Sequence, residues 1–141
     1  MKYLDPHRIA AVLLLLFCAG HTIGGMLGNG SLGPGDAVFA QMKSVHFTFN
    51  GSDSTFYGFW FGLGLITSVF LLFSALVSWR LASVAAGDWH VVTPIAWALF
   101  ASHVANAVLT LRYFFAGAGF LASLIALLLG VGALRKSRRT T

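Results

Sequence analysis

Two histidines stand inside long apolar segments of this sequence, His21 in the first segment and His103 in the third. An imidazole ring can donate or accept a hydrogen bond, move a proton near neutral pH or ligate iron. Because polar side chains are costly in an apolar setting, each of these histidines is a candidate for function. The next question is which side chains share their helix face and their depth.

Other polar or small residues accompany both histidines at helical spacing. Asn106 follows His103 by three residues, which puts the two on one helix face. Gly24 and Gly25 share a face with His21 in the same way, and they allow another backbone to approach closely. Hydroxyl residues of the second and fourth apolar segments complete a predicted pocket, whose members are His21, Thr67, Ser68, His103, Asn106 and Ser123.

The elements that carry these residues follow from the composition. Hydrophobic residues make up 57% of the 141 positions and charged residues 9%, whereas a soluble domain has about 25% charged residues. A helix needs about 20 apolar residues to cross a bilayer core. Four segments qualify, and they cover about 9–28, 56–79, 91–112 and 114–134. We therefore predict an all-α membrane protein, a single transmembrane domain over 1–141 built as an up-down bundle of four transmembrane helices.

The depth of the polar residues along these helices predicts one polar layer. At 1.5 Å per residue, His21 and His103 each lie about 18 Å from the same edge of the bilayer core. Thr67, Ser68 and Ser123 reach this level from the opposite direction. The first and third helices of an up-down bundle are parallel and diagonal to each other. We therefore expect His21 and His103 to face each other across its centre.

The orientation of the bundle follows from its Lys and Arg residues, which favour the cytoplasmic side of a membrane. One side carries seven of them, and the other carries Lys43 and Arg112. We predict the bacterial inner (cytoplasmic) membrane, with both termini cytoplasmic and the C-terminal basic run attracting anionic lipid. The net charge of +5 is thus a topology signal, and no nucleic acid is expected as a partner. The seven residues are Lys2, Arg8, Arg80, Arg135, Lys136, Arg138 and Arg139.

The first outer loop is predicted to contain an extra helix. Apolar residues recur at helical spacing between positions 38 and 49, which favours an amphipathic helix over about 36–49 on the outer membrane surface. Asp36 would cap its start, and Asn50-Gly51 would end it. His46 would lie on this helix, and whether it reaches the mouth of the bundle stays open, as does the alternative that the helix folds back over that mouth.

Two stretches of the chain have a recognisable pattern, Gly20-His-Thr-Ile-Gly-Gly25 in the first helix and Asp53-Ser-Thr-Phe-Tyr-Gly-Phe-Trp-Phe-Gly-Leu-Gly-Leu65 at the start of the second. Through them the chain resembles a family of small bacterial membrane proteins with four transmembrane helices and no assigned activity. The resemblance covers most of the chain. It implies four spans, and it implies no activity, cofactor or site residue.

Three functions stay open for the histidine layer. In the first, the layer binds a small or lipidic ligand, such as a quinone-like molecule, or transfers a proton. In the second, His21 and His103 are the axial ligands of a b-type haem in an electron-transfer protein. In the third, the histidines only stabilise packing, and the protein is an accessory or structural subunit without chemistry of its own. Whether the chain catalyses any reaction stays open as well.

The remaining expectations concern partners and the other histidines. The glycine face formed by Gly20, Gly24 and Gly28 favours a homo-oligomer or membership of a larger membrane complex. A zinc site is not expected, because two good ligands are visible where three or four are needed. His7 and His90 are interpreted as solvated residues at the cytoplasmic face.

Overall fold

The computed structural model describes residues 5–28 and 30–138. Lys2 and Arg139, two of the predicted cytoplasmic charges, lie outside these residues. In chain order the described residues form helix α1 (Pro6–Ala19), a π-helical segment (Gly20–Met26), helix α2 (Gly35–Ser44), strands β1 (His46–Phe49) and β2 (Ser52–Thr55), helix α3 (Phe56–Ser83), a 3₁₀ turn (Ala86–Asp88), and helices α4 (Trp89–Tyr113) and α5 (Ala116–Ser137).

Four helical segments within the described residues are long and apolar enough to cross a membrane. This confirms the prediction of four apolar helices and the class of integral membrane protein. The count is predictable because length and hydropathy depend on local sequence alone. The four segments are Pro6–Met26, Phe56–Ser83, Ala86–Tyr113 and Ala116–Ser137.

The first of these segments changes its hydrogen-bonding pattern part-way along. From Gly20 to Met26 it is π-helical, and just after it the Leu27 N–H donates to the Thr22 carbonyl, five residues back, at 2.9 Å. A π-helical stretch is rare and appears mostly as a single turn inside an α-helix, and such turns are frequent at functional sites. Glycines within the stretch weaken the competing α-helical pattern, because Gly is a poor α-helix former.

The outer loop differs from the prediction. The helix expected over 36–49 ends at Ser44, and His46–Phe49 instead forms a strand that pairs antiparallel with Ser52–Thr55. Asn50 and Gly51 have positive φ angles of 49° and 82°. This is the backbone that a two-residue hairpin turn requires, and Asn-Gly is its preferred sequence. The prediction of an all-α fold therefore misses one β-hairpin.

Asp36 also has a different role from the predicted helix cap. Its carboxylate accepts hydrogen bonds from the Ser31 hydroxyl at 2.6 Å and from the Leu32 N–H at 2.8 Å. These two bonds, the hydroxyl bond first, hold the pKa of the Asp36 carboxyl below its ordinary value. The side chain thus orders the turn before α2, and Pro34, the residue that directly precedes α2, makes no side-chain cap.

The chain divides into two compact units, which we call the packed unit and the open unit. The packed unit comprises residues 5–17 and 71–138 of the described chain, and the open unit comprises 18–28 and 30–70. In the packed unit, α4 and α5 run antiparallel at close range. Gly119 packs against Leu111, and Gly130 packs against the ring of Phe100.

Candidate functional site

A cluster of polar groups in the open unit joins the first membrane segment to α3. The thiol of Cys18 donates to the Ser68 carbonyl at 3.3 Å. The Thr22 hydroxyl donates to the Cys18 carbonyl at 2.7 Å and hydrogen-bonds with the Ser68 hydroxyl at 2.8 Å. His21 Nε2 lies 3.0 Å from the Gly64 carbonyl. We call these five residues the His21 cluster.

The contact with Gly64 decides the chemistry of the His21 ring. A carbonyl only accepts, so Nε2 carries the proton in this bond and a neutral ring keeps its lone pair on Nδ1. Nδ1 has no hydrogen-bond partner among residues 5–28 and 30–138. The ring is half-buried, and Nδ1 faces Gly25, where a Cβ would lie 3.8 Å away. His21 therefore presents a hydrogen-bond acceptor at a position that a ligand can reach.

Gly64 contributes to this arrangement in two ways: it supplies the carbonyl, and its lack of a side chain leaves space. A Cβ at Gly64 would overlap the sulfur of Met26, the last residue of the π-helical segment. The absence of a side chain thus lets the two backbones approach, as small residues do in membrane helices. By contrast, Gly20 and Gly24, on the predicted glycine face, have nothing within 4 Å of a Cβ position.

The predicted pocket residues of the open unit do not all join the cluster. Ser68 is buried, at 8% exposure, and meets His21's neighbour Thr22. Thr67 is exposed, and its hydroxyl donates to the Leu63 carbonyl of its own helix at 3.0 Å. The cluster therefore brings together His21 and Ser68, and Thr67 lies on another face of α3.

The other predicted pocket residues lie in the packed unit. His103 is fully buried there. Asn106 is half-buried, and its backbone carbonyl accepts from the Thr110 hydroxyl at 2.7 Å. The Ser123 hydroxyl donates to the Gly119 carbonyl at 2.8 Å. Because His21 and His103 belong to different units, their pairing across one pocket, and the haem that it would hold, stay predictions.

No protein-family model, curated protein or solved structure matches this chain. The resemblance to small four-helix bacterial membrane proteins stays a prediction, and the argument for a site rests on the geometry.

The chemistry of the His21 cluster favours binding over covalent catalysis. The Cys18 thiol and the Thr22 hydroxyl both donate to backbone carbonyls. Neither is hydrogen-bonded to His21, so the cluster lacks the paired nucleophile and base that acyl transfer requires. Within the described residues, no group of three or more His, Cys, Asp and Glu side chains could hold a metal ion.

Three members of this cluster, Cys18, Thr22 and Gly64, were not predicted from the sequence. Cys18 and Thr22 lie three residues before and one residue after His21, so Cys18, His21 and Thr22 could have been grouped by helical spacing. Gly64 acts through its backbone carbonyl, which no side-chain pattern can reveal.

A second histidine is buried in the packed unit, contrary to prediction. His7 was expected to be solvated, but its side chain is 0% exposed. Its ring lies 5.8 Å from that of Trp89, and a Cβ at Gly132 would come within 2.7 Å of it. The Ser78 hydroxyl donates to the His7 backbone carbonyl at 2.7 Å. His90, by contrast, is exposed as predicted.

Lys136 also differs from its predicted role as part of a basic run that attracts lipid. Its ammonium group donates to the Leu81 and Ala82 carbonyls, at 2.6 and 3.0 Å, near the end of α3. It lies 3.7 Å from the Asp5 carboxylate, and only 14% of its side chain is exposed. Lys136 therefore caps a helix, and its charge is engaged within the protein.

Proposed function

We propose that this protein is a ligand-binding protein of the bacterial inner membrane, and that its open unit binds a lipidic molecule through His21. The observation that carries the proposal is the fixed tautomer of His21, whose Nε2 is held by the Gly64 carbonyl at 3.0 Å. The ring sits on a π-helical segment inside a membrane-spanning helix. Such segments are frequent at functional sites, where they redirect side chains.

The chemistry of the ligand follows from the tautomer. Nδ1 of a neutral ring is an acceptor, so the ligand must present a donor, such as a hydroxyl group. A reduced quinol has two hydroxyl groups, whereas the oxidised quinone has only carbonyl acceptors. Among quinone-like molecules, the site therefore favours the quinol. The surrounding apolar helix surface suits its hydrocarbon tail.

The proposed topology rests on the distribution of basic residues. Seven Lys and Arg residues on one side and two on the other support cytoplasmic termini and an up-down order of four spans. In that orientation the hairpin and α2 lie outside, with α2 on the outer membrane surface. The glycine face with open space around Gly20 and Gly24 supports association with a second copy or with a larger complex.

The proposal is tested by ligand-dependent thermal unfolding of the detergent-purified protein. A short-chain quinol is expected to raise the unfolding midpoint, and its oxidised quinone is expected to raise it much less. His21→Ala should weaken quinol binding by about threefold to tenfold, the value of one hydrogen bond.

The matched control is His90→Ala. His90 also hydrogen-bonds a backbone carbonyl at 3.0 Å, that of Gly87, but it is exposed and lies in the packed unit. Its replacement should leave quinol binding unchanged. Equal stabilisation by quinol and quinone, or full quinol binding by a folded His21→Ala variant, would show that the His21 cluster is not the binding site.

A further inference from the structure

A groove runs along one face of α3, and it begins at the β-hairpin. Its mouth includes His46 and Asp53 of the hairpin, and its floor includes Gly58, Gly62 and Ile66 of α3. The groove is open along its length, with a volume of about 560 Å³. Gly58, Gly62 and Ile66 are spaced four residues apart, so the floor is one helix face about 12 Å long.

The hairpin is held in place over the start of α3 by aromatic contacts. The ring of Phe47 lies 4.8 Å from that of Phe56 and 5.7 Å from that of Phe59. The Phe49 ring meets Phe59 edge-on at 5.3 Å. Trp60 lies one helical turn beyond Phe56 in α3, and Trp is enriched at the headgroup level of a bilayer. The mouth of the groove is thus at headgroup level, and its floor extends into the hydrocarbon.

The mouth presents hydrogen-bond acceptors. His46 Nδ1 lies 2.9 Å from the Asp53 carboxylate, which accepts, so Nδ1 carries the proton and a neutral ring has its lone pair on Nε2. Both side chains remain largely exposed, at 59% and 72%. The second carboxylate oxygen and the imidazole Nε2 therefore remain available to a donor. A primary ammonium group, with one positive charge and three N–H donors, is complementary to both.

We propose that this groove binds one phospholipid with a primary-ammonium headgroup, with the ammonium at His46 and Asp53 and one acyl chain along Gly58, Gly62 and Ile66. The floor belongs to a helix that is apolar enough to cross a membrane, so bilayer lipids are the molecules that would surround the groove. The trough is widest at Gly62, where a Cβ would meet none of the described residues within 4 Å. At Gly58 a Cβ would lie 3.2 Å from the Thr55 hydroxyl, so the trough narrows toward the hairpin.

The test is native mass spectrometry of the full chain with phosphatidylethanolamine, phosphatidylcholine and phosphatidylglycerol of identical acyl chains. The choline headgroup has the same charge as the ethanolamine headgroup but no N–H donor. Wild type should retain phosphatidylethanolamine about threefold or more over the other two, the scale of one net hydrogen bond to a donor that choline lacks. Asp53→Asn, which keeps the shape of the side chain, should abolish this preference, and His46→Gln should reduce it.

The acyl-chain part of the proposal has its own variant. Gly62→Leu places a side chain in the trough, where a Cβ would meet none of the described residues within 4 Å, and should lower retention of all three lipids. Ala101→Leu adds similar bulk at an exposed position of α4 and should not. His21→Ala should also leave the preference unchanged, which separates this site from the quinol site. The proposal would be overturned if wild type retained the two zwitterionic lipids equally, or if the preference survived Asp53→Asn. It would also be overturned if the protein were a dimer that only Gly62→Leu dissociates, because a second copy of the chain would then occupy the groove.

Discussion

The packed unit and the open unit are stabilised by different interactions. Every buried apolar side chain among the described residues belongs to the packed unit, and most of them are alanines and leucines. In the described part of the open unit, Ser68 is the one buried residue. That unit is joined by hydrogen bonds to carbonyls and by aromatic contacts around Phe39, Phe47 and Trp60.

This difference suggests a division of roles. Close packing of small residues gives one tightly defined arrangement with few voids. Hydrogen bonds between a π-helical segment and a helix backbone leave grooves and half-buried polar atoms. The packed unit therefore provides stability, and the open unit provides the candidate binding surfaces. The two units should respond differently to the same kind of substitution.

The largest expected effect comes from adding a side chain to a glycine in each unit. A Cβ at Gly132 would lie 2.7 Å from His7 Cδ2 and Nε2, and His7 is fully buried. Gly132→Leu should therefore overpack the packed unit and reduce the free energy of unfolding by about 3 kcal/mol. Gly62→Leu, where a Cβ meets open space inside α3, should lower it by less than about 0.5 kcal/mol.

Thermal unfolding in detergent, followed by tryptophan fluorescence, measures both variants. Trp89 is fully buried beside His7 in the packed unit, and Trp60 lies in the open unit, so the total emission reports on both units. Similar losses of stability in the two glycine variants would contradict the division between the units.

A second comparison uses two neighbouring basic residues at the end of α5. Lys136 donates to two carbonyls near the end of α3, whereas Arg135 is exposed. Lys136→Met should lower the free energy of unfolding by about 1.5 kcal/mol, since it removes charge-assisted hydrogen bonds from a largely buried site. Arg135→Met should have little effect on stability, although both variants lose one positive charge.

The same unfolding assay measures this pair, at low and at high salt. A surface charge effect is screened by salt, and a buried cap is much less so. If the two variants lose equal stability, and salt removes both losses, then Lys136 acts only as a surface charge, as the sequence analysis expected.

The sequence predicts the helices well because their signal is local. Length and hydropathy identify four spans without any knowledge of tertiary contacts. The hairpin had a local signal too, since Asn50-Gly51 is a strong turn sequence. It was missed because the helical spacing of apolar residues between positions 38 and 49 competed with it, and that spacing holds only as far as Ser44.

The candidate site was predicted less completely, since it depends on contacts distant in the sequence. His21 and Ser68 were identified from their residue types, but the carbonyl of Gly64 and the π-helical segment are set by packing against α3. His7 was misjudged for a similar reason. It lies beside Pro6 and Arg8 near the start of the chain, and it is buried because Gly132 leaves room for its ring. That the predicted residues bind a ligand stays a prediction.

The smallest expected effects come from replacing one histidine in each unit, His7 in the packed unit and His21 in the open unit, and only the first replacement should stabilise the protein. Neither ring nitrogen of His7 has a hydrogen-bond partner among residues 5–28 and 30–138, although the side chain is fully buried. An unsatisfied buried polar group costs about 1–3 kcal/mol, whereas an apolar side chain of similar size does not. His7→Leu should therefore raise the free energy of unfolding by about 1 kcal/mol.

His21→Leu is the matched variant in the open unit, and its effect should have the opposite sign. It removes the bond from Nε2 to the Gly64 carbonyl, which averages about 0.6 kcal/mol between membrane helices. Thermal unfolding of both variants measures the two signs. If His7→Leu instead lowers the free energy of unfolding by as much as the loss of an ordinary buried hydrogen bond, then the His7 ring hydrogen-bonds a polar partner in the folded protein. The packed unit would then contain a polar site of its own, and the division of roles between the two units would no longer hold.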